Sequence, residues 1–100
     1  MIKLTNKTAN GTSFHNTTIE TTVNKLIAAI GEPQWSDNTG EDKVNFDWAC
    51  EIEEDDDVFT IYDWKEYRPI DLDEVIEFHI GGENRNVTEK AKKELLAILN

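Results

Sequence analysis

The sequence predicts a single α+β domain over residues 1–100, with an antiparallel sheet of three main strands and two helices on one face of that sheet. Two observations support this prediction. Apolar residues alternate with polar ones in three short stretches, which is typical of strands with one buried face. Two other stretches repeat their apolar residues at helical spacing. With 38% hydrophobic residues in 100, the chain can bury one modest core.

The N-terminal part of the chain predicts a helix over residues 18–30. Residues 1–10 are rich in Thr, Asn and Lys, and indicate either a loose arm or a short fourth strand. Thr17 and Glu20 then have the spacing of a capping box, in which each side chain bonds a free backbone N–H. Gly31 can end the helix in a left-handed conformation. The apolar stripe of this helix comprises Ile19, Val23, Leu26, Ile27 and Ile30.

The three main strands are predicted at residues 44–52, 58–64 and 74–80. The first alternates most regularly between apolar and polar residues. The second is apolar on both phases and is therefore expected at the centre of the sheet. Cys50 lies on the apolar phase of the first strand, so we expect a buried core residue rather than a reactive thiol.

The remaining segments are predicted from turn-forming and charged residues. Trp35 is expected to anchor the first loop against a helix end or a sheet edge. Gly81 and Gly82 are expected to end the third strand, and a second helix is predicted from residue 88 to residue 99. The loops are residues 32–42, 53–57 and 65–73.

The formal net charge is −11, and the acidity is concentrated in the sheet region. From Glu41 to Glu77 there are 15 acids and 3 bases, whereas the rest of the chain has 6 acids and 7 bases. Such a field repels nucleic acid and anionic membranes and attracts basic proteins. No apolar stretch approaches the roughly 18 residues that cross a bilayer, and no secretory signal is recognised. We therefore expect a cytoplasmic protein that binds neither membranes nor nucleic acid directly.

The concentration of acids suggests one function. We expect the second face of the sheet to remain acidic, with Glu77 among its residues, and to continue into the acidic tip at residues 53–57. Carboxylates arranged in this way can occupy the positions of DNA phosphates on a basic, nucleic-acid-binding protein. This non-enzymatic inhibitor hypothesis assigns partner binding to Asp47, Glu51, Glu53, Glu54, Asp55, Asp56, Asp57 and Asp63.

A second hypothesis uses the aromatic and cationic residues near the second strand. Aromatic rings beside cations can bind a nucleobase by stacking and a phosphate by charge. The protein would then bind and sequester a nucleotide or a signalling molecule. Packing at the sheet edge with local salt bridges explains the same pattern. The residues of this hypothesis are Tyr62, Trp64, Lys65, Arg68 and His79.

Catalytic and metal-binding motifs are not found in the sequence. The acids of residues 53–57 are contiguous and lack the glycine and alternate spacing of a calcium loop. His15 and His79 do not form a zinc-binding spacing with each other or with Cys50. We therefore expect no catalytic residue, no metal and no cofactor. The sequence leaves open whether the chain forms a homodimer.

Four short stretches resemble a group of small proteins from tailed-phage and related bacterial genomes. They are G-T-S-F-H at residues 11–15, L-x-x-x-x-G-E-P at 26–33, T-I-Y-D-W-K at 60–65 and F-H-I-G-G at 78–82. The resemblance covers most of the chain. It implies a product of a phage or mobile element but brings no catalytic or binding residue. Small, very acidic phage proteins are often inhibitors of host defence, some of them DNA mimics, which agrees in kind with the first hypothesis.

Overall fold

The computed structural model describes residues 1–99 and confirms the α+β class, but the sheet has six strands rather than three or four. All the strand pairs are antiparallel. The strand order is β1-β4-β5-β6-β2, and β3 pairs with β4 beside β1. The elements are β1 (Ile2–Leu4), β2 (Ser13–Thr21), α1 (Val23–Ile30), β3 (Trp35–Ser36), β4 (Phe46–Ile52), β5 (Asp57–Tyr62), β6 (Ile76–Gly82) and α2 (Arg85–Leu99).

The helix predicted over residues 18–30 is wrong at its start, because Ser13–Thr21 forms strand β2. This segment is rich in β-branched residues, and β2 pairs with β6 along most of its length. The helix begins only at Val23. Thr22 caps it by accepting a hydrogen bond from the Lys25 N–H at 3.0 Å, so the predicted Thr17 capping box is not formed.

The three predicted main strands exist with shifted ends, as β4, β5 and β6. As predicted, β5 is central in the sheet. Gly81 and Gly82 do not end β6 but belong to it, and Gly81 pairs with Phe14 and Thr60. The absence of a side chain is required there, because a Cβ on Gly81 would lie 2.6 Å from the Thr60 hydroxyl oxygen. Helix α2 starts at Arg85, three residues before the predicted position.

The outer edge of the sheet contains the short strands that the sequence left undecided. Ile2–Leu4 pairs with Cys50–Ile52 of β4, so these residues form the short N-terminal strand rather than a loose arm. Trp35 lies in the predicted loop but pairs with Asp47 of β4, and its side chain is exposed. Strands of two or three residues are too short to show a periodic pattern in the sequence.

Both helices contribute to one core on the same side of the sheet. Trp48 is at its centre, where its indole N–H donates to the Gly31 carbonyl at 2.9 Å and its ring meets Phe78 edge-on. Cys50 is fully buried, as predicted, and burial raises the pKa of its thiol to about 12. The buried apolar residues are Ile19, Val23, Leu26, Phe46, Trp48, Cys50, Ile52, Phe59, Ile61, Ile70, Ile76, Phe78, Ile80, Val87, Ala91 and Leu95.

The second face of the sheet is not an open acidic surface. After β1, the chain crosses part of this face, and we call residues 5–12 the crossing segment. The Thr5 N–H donates to the Ala49 carbonyl at 3.0 Å, and the Lys7 ammonium donates to Glu51 at 2.8 Å. Glu77 on β6 is exposed, as expected. The face is therefore divided between a covered part and an uncovered aromatic part.

Two glycines with left-handed backbones allow a direct test of this packing. Gly40 has φ +79°, and a Cβ there would lie 2.4 Å from the Arg68 Cα, whereas Gly11 has φ +86° and open space. Gly11→Ala should cost about 1–2 kcal/mol from the backbone conformation alone. Gly40→Ala should cost about 1–3 kcal/mol more, because the methyl group overlaps backbone atoms. Urea unfolding of both variants measures the difference, and equal losses would contradict the packing of residue 40.

Candidate ligand-binding site

Asp63 holds together the two chain segments that carry the site. It follows β5 directly and is fully buried. Its carboxylate accepts hydrogen bonds from the backbone N–H groups of Asn45 and Phe46 at 2.9 and 2.8 Å, and from the Asn45 side chain at 3.1 Å. Close by, the Lys65 N–H donates to the Lys43 carbonyl at 2.7 Å. The segments that precede β4 and follow β5 are therefore fixed side by side.

Four rings from β2, β5, β6 and the segment after β5 form what we call the aromatic cluster. Phe14 stacks on His79 with a centroid distance of 3.9 Å. Tyr62 meets His79 at 5.5 Å and Trp64 at 6.0 Å, and Trp64 lies 6.1 Å from His79. Phe14 and Trp64 each remain 39% exposed, so the cluster presents ring surface to solvent.

Two lysines accompany the exposed tryptophan. The ammonium groups of Lys65 and Lys43 lie 5.6 and 6.0 Å from the centroid of the Trp64 ring. Within residues 1–99, neither ammonium group forms a salt bridge or a hydrogen bond. Lys65 also has φ +56°, which is unfavourable for a residue with a side chain. Such backbone strain is found preferentially at binding and active sites.

A cavity of about 300 Å³ adjoins the aromatic cluster, between the sheet and the crossing segment. Asp47 is one of the residues that line it, and the Oδ1 atom of Asp47 is buried without a hydrogen-bond partner among the described residues. Desolvation and the nearby Asp63 charge raise the pKa of Asp47. Residues lining the cavity are Ala9, Thr12, Ser13, Val44, Asp47, Thr60, Tyr62, Trp64 and Gly81.

Burial also sets the ionisation of two members of the aromatic cluster. It raises the pKa of the Tyr62 hydroxyl, with a smaller contribution from Asp47. Burial lowers the pKa of His79, and this effect is larger than the increase in pKa caused by the Glu77 charge. Because both shifts favour the uncharged forms, the two rings present neutral aromatic surfaces near pH 7.

Four of the five residues predicted for a small-ligand site come together. Tyr62, Trp64 and His79 belong to the aromatic cluster, and Lys65 lies beside Trp64. Arg68 does not join them. Its guanidinium group binds Glu74 at 2.5 Å and Glu66 at 3.3 Å, away from the cavity lining.

The acids predicted for partner binding are placed in three different environments. Asp63 is buried, and Glu51 is only 5% exposed because Lys7 and Lys3 lie over it, so the expected display of these two carboxylates is wrong. The Lys7 hydrogen bond lowers the pKa of Glu51. Asp47 lines the cavity. The remaining five acids belong to the hairpin tip between β4 and β5.

The tip acids lie at the surface but are partly neutralised within the chain. Glu54 binds the N-terminal amine, Asp55 binds Lys90, and Asp56 binds Lys7 at 3.2 Å. Glu53 is exposed, and Asp57 is half-buried at the start of β5. The tip therefore has less unbalanced charge than its sequence of five acids implies.

Three parts of the site were not predicted from the sequence: Phe14, Lys43 and the crossing segment. Phe14 is distant in sequence from the other rings and reaches His79 only because β2 pairs with β6. Lys43 precedes β4 in a mainly acidic stretch and was counted only as a charge. The G-T-S-F-H stretch could have drawn attention to Phe14, but nothing in it indicates the ring that Phe14 contacts.

The other concavities of the molecule offer less binding chemistry. One of them, about 480 Å³, lies beside α1 and has a mainly apolar lining without a lysine, arginine or histidine. Among residues 1–99, no group of three or more His, Cys, Asp or Glu side chains is arranged to hold a metal ion. Neither helix, as far as the structure describes it, is long and apolar enough to cross a membrane.

Comparisons with protein-family models, with curated proteins and with solved structures found no match to this chain. No activity, partner or ligand is therefore transferred from a relative. The function has to be argued from the cavity, the aromatic cluster and the charged groups beside them.

The raised pKa of Asp47 predicts how the stability of the folded protein changes with pH. Because its pKa is raised in the folded protein, the folded state retains the proton to higher pH than the unfolded state. The stability contributed by this proton is present at low pH and is lost as pH rises through the folded-state pKa. At pH 7 the ionised group thus destabilises the fold, and an unpaired buried acceptor costs about 1–3 kcal/mol.

Asp47→Asn should therefore raise the melting temperature at pH 7, and the gain should shrink below about pH 4, where carboxyl groups protonate in the unfolded chain. Asp37→Asn is the control, because it removes the same charge from an exposed side chain. Thermal unfolding between pH 3 and pH 8 measures both variants. A destabilised Asp47→Asn protein at pH 7 would show that the carboxylate has a partner in the fold.

Proposed function

We propose that the protein is a non-enzymatic binding protein that sequesters a nucleotide on the uncovered part of its sheet. The observation that carries this proposal is that three kinds of group lie at or beside one cavity. Aromatic rings and the acidic residue Asp47 line the cavity, and two lysines without ion pairs lie beside the lining residue Trp64. A nucleotide has a flat base, an anionic phosphate and N–H groups, so it can satisfy all three.

The aromatic cluster supports binding of the base. Stacking of a base on an aromatic side chain contributes about 1–3 kcal/mol and needs only an accessible ring face. Trp64 is exposed and lines the cavity together with Tyr62. The volume of about 300 Å³ is near the lower end of ligand pockets, which suits one base with its sugar better than a larger ligand.

The lysines support binding of the phosphate. A protein with a net charge of −11 repels anions over most of its surface, so an anionic ligand needs local cations. Lys43 and Lys65 provide two positive charges that form no ion pair with an acid of the described chain. Their backbones are joined by a hydrogen bond, which keeps both lysines beside Trp64.

The groups at the site favour binding without chemistry. Ser13 lines the cavity, and its hydroxyl lies 3.2 Å from the His15 Nε2 atom. The same nitrogen lies 3.1 Å from the Gly82 carbonyl oxygen, which can only accept, so Nε2 carries the proton. A protonated nitrogen cannot act as the base for Ser13. This pair is therefore not an activated nucleophile.

Isothermal titration with a panel of ribonucleoside monophosphates tests the proposal. Trp64→Ala should weaken binding by tenfold or more, because loss of one stacking ring costs about 1–3 kcal/mol. Tyr67→Ala is the control, since Tyr67 is an exposed ring outside the cavity.

The double change of Lys43 and Lys65 to Ser should also weaken binding, because it removes both positive charges beside Trp64. Changing Lys92 and Lys93 to Ser removes the same charge from α2 and should leave binding unchanged. Absence of binding by any nucleotide would refute the proposal.

The hairpin tip supports a second candidate, an inhibitor of a basic nucleic-acid-binding host protein. The specific observation is that acidic side chains of the tip remain accessible in spite of their ion pairs, with Asp56 at 81% exposure. The docking surface would be the tip alone, because Glu51 and Asp63 are not accessible to a partner.

Changing Asp55, Asp56 and Asp57 to Lys should abolish the capture of basic proteins from a host lysate, because it reverses the charge of the tip. The control changes Glu32, Asp37 and Glu41 to Lys, which reverses the same number of charges at exposed positions elsewhere. Circular dichroism checks that both variants fold. Equal capture by the two variants would remove this candidate.

A further inference from the structure

We infer that the ligand of this site is a dinucleotide, whose first base occupies the cavity beside Trp64 and whose second base stacks on Phe14. This inference rests on the proposed function of nucleotide binding and adds the size of the ligand. It begins from a ring that a single base in the cavity would leave unused. Phe14 belongs to the aromatic cluster and is 39% exposed, but it lies outside the lining of the cavity.

Strand pairing places Phe14 on the same face of the sheet as the cavity. Phe14 lies opposite Gly81, and Gly81 is one of the residues that line the cavity. A Cβ on Gly81 would lie 3.5 Å from the Tyr62 ring. Because paired residues of antiparallel strands direct their side chains to the same face, Phe14 and Tyr62 share that face. The exposed surface of Phe14 therefore continues the surface of the cavity.

Three rings of the aromatic cluster are close to parallel. Phe14 and His79 have an interplanar angle of 13° and a centroid distance of 3.9 Å, and the corresponding values for Trp64 and His79 are 27° and 6.1 Å. The Phe14 and Trp64 centroids are therefore separated by no more than the sum of these two distances. Two neighbouring nucleotides with their bases apart can span such a separation. RNA-recognition domains likewise stack two or three successive bases on aromatic residues of a sheet surface.

The charges on this face limit the ligand to two bases. Two residues before His79 on β6, and therefore on the same face, lies Glu77, which is paired with Glu20 of β2. Both glutamates are exposed. A third nucleotide on this side would bring its phosphate towards two carboxylates, which would repel it. On the side of the cavity, the sheet surface ends where Ala9 and Thr12 of the crossing segment form a wall.

The two lysines beside Trp64 are sufficient for a short ligand and not for a long strand. Among the described residues, neither Lys43 nor Lys65 forms an ion pair, so both are available to the phosphates next to the first base. A long strand gains its affinity from Lys and Arg contacts to many phosphates. The net charge of −11 would repel the phosphates that extend beyond these two lysines.

Isothermal titration with adenine ligands tests the inference from the ligand side. The ligands are AMP, the 5′-phosphorylated dinucleotide pApA, and an analogue of pApA whose second sugar lacks a base. We expect pApA to bind about tenfold more tightly than the analogue, because the two have the same phosphates and differ by one stacked base. Equal affinity for pApA and the analogue, with AMP binding, would overturn the inference and leave the proposed function standing. Failure of all three to bind would refute both.

Phe14→Leu tests the same inference from the protein side. Leucine keeps an apolar side chain but removes the ring, so the preference for pApA over the analogue should be lost while the affinity for the analogue is retained. Phe14→Tyr keeps a ring and should keep the preference. Tyr67→Leu is the control, since it removes an exposed ring outside the cavity. A preference for pApA that survives Phe14→Leu would overturn the inference.

The limit of two bases is tested with the tetranucleotide pApApApA. We expect it to bind the wild-type protein no more tightly than pApA. Changing Glu20 and Glu77 to Gln should increase the affinity for the tetranucleotide relative to pApA, because it removes the carboxylates beyond His79. Changing Glu32 and Glu41 to Gln removes the same charge at exposed positions elsewhere and should not. A tetranucleotide that binds the wild-type protein more than about tenfold more tightly than pApA would identify a longer strand as the ligand and overturn the inference.

Discussion

The hydrogen bonds accepted by Asp63 are the interaction on which the candidate site depends. A buried carboxylate costs several kcal/mol unless donors surround it. Here the donors are backbone N–H groups at the entry to β4 and the side chain of Asn45. Asn45 extends the network, because it also donates to the Arg68 carbonyl and accepts from the Gly40 N–H. Two loops are thereby fixed to each other beside the central strand.

This network explains why the aromatic and cationic groups converge. Trp64 and Lys65 come directly after Asp63, and Lys43 comes shortly before Asn45, so fixing the two loops also fixes these side chains near one another. The strained backbone at Lys65 is maintained by the same fixed surroundings. The rings of Tyr62 and His79 need no loop, since cross-strand pairing in the sheet brings them together.

The acidity of the chain has several structural uses, and display to a partner is only one candidate among them. Asp63 organises loops, Glu51 holds the crossing segment through Lys7, and the tip acids bind the N-terminus, Lys7 and Lys90. Asp47 differs from these because it has no donor and its pKa is raised. A group that costs stability without a partner in the fold is a candidate for function. The proposal of a nucleotide site gives this group a role.

The periodic patterns of the sequence were sufficient for the α+β class, the three main strands, the central position of β5 and the burial of Cys50. They failed at β2, where apolar residues happened to follow helical spacing while β-branched residues and pairing with β6 favoured a strand. They could not reveal β1 and β3, because strands of two or three residues carry no period.

Sequence reasoning also identified four of the five residues of the small-ligand hypothesis, because Tyr62, Trp64 and Lys65 are neighbours and His79 lies on the adjacent strand.

The sequence could not determine which charged side chains lack a partner in the fold. Arg68 and Lys65 are equivalent in a list of cations, yet only Arg68 has acids within reach in the fold. Asp47 and Asp63 look alike in sequence, but one receives several hydrogen bonds and the other none at its buried oxygen. Local patterns therefore determined the elements, whereas the partners of each charged group were decided by contacts between distant parts of the chain.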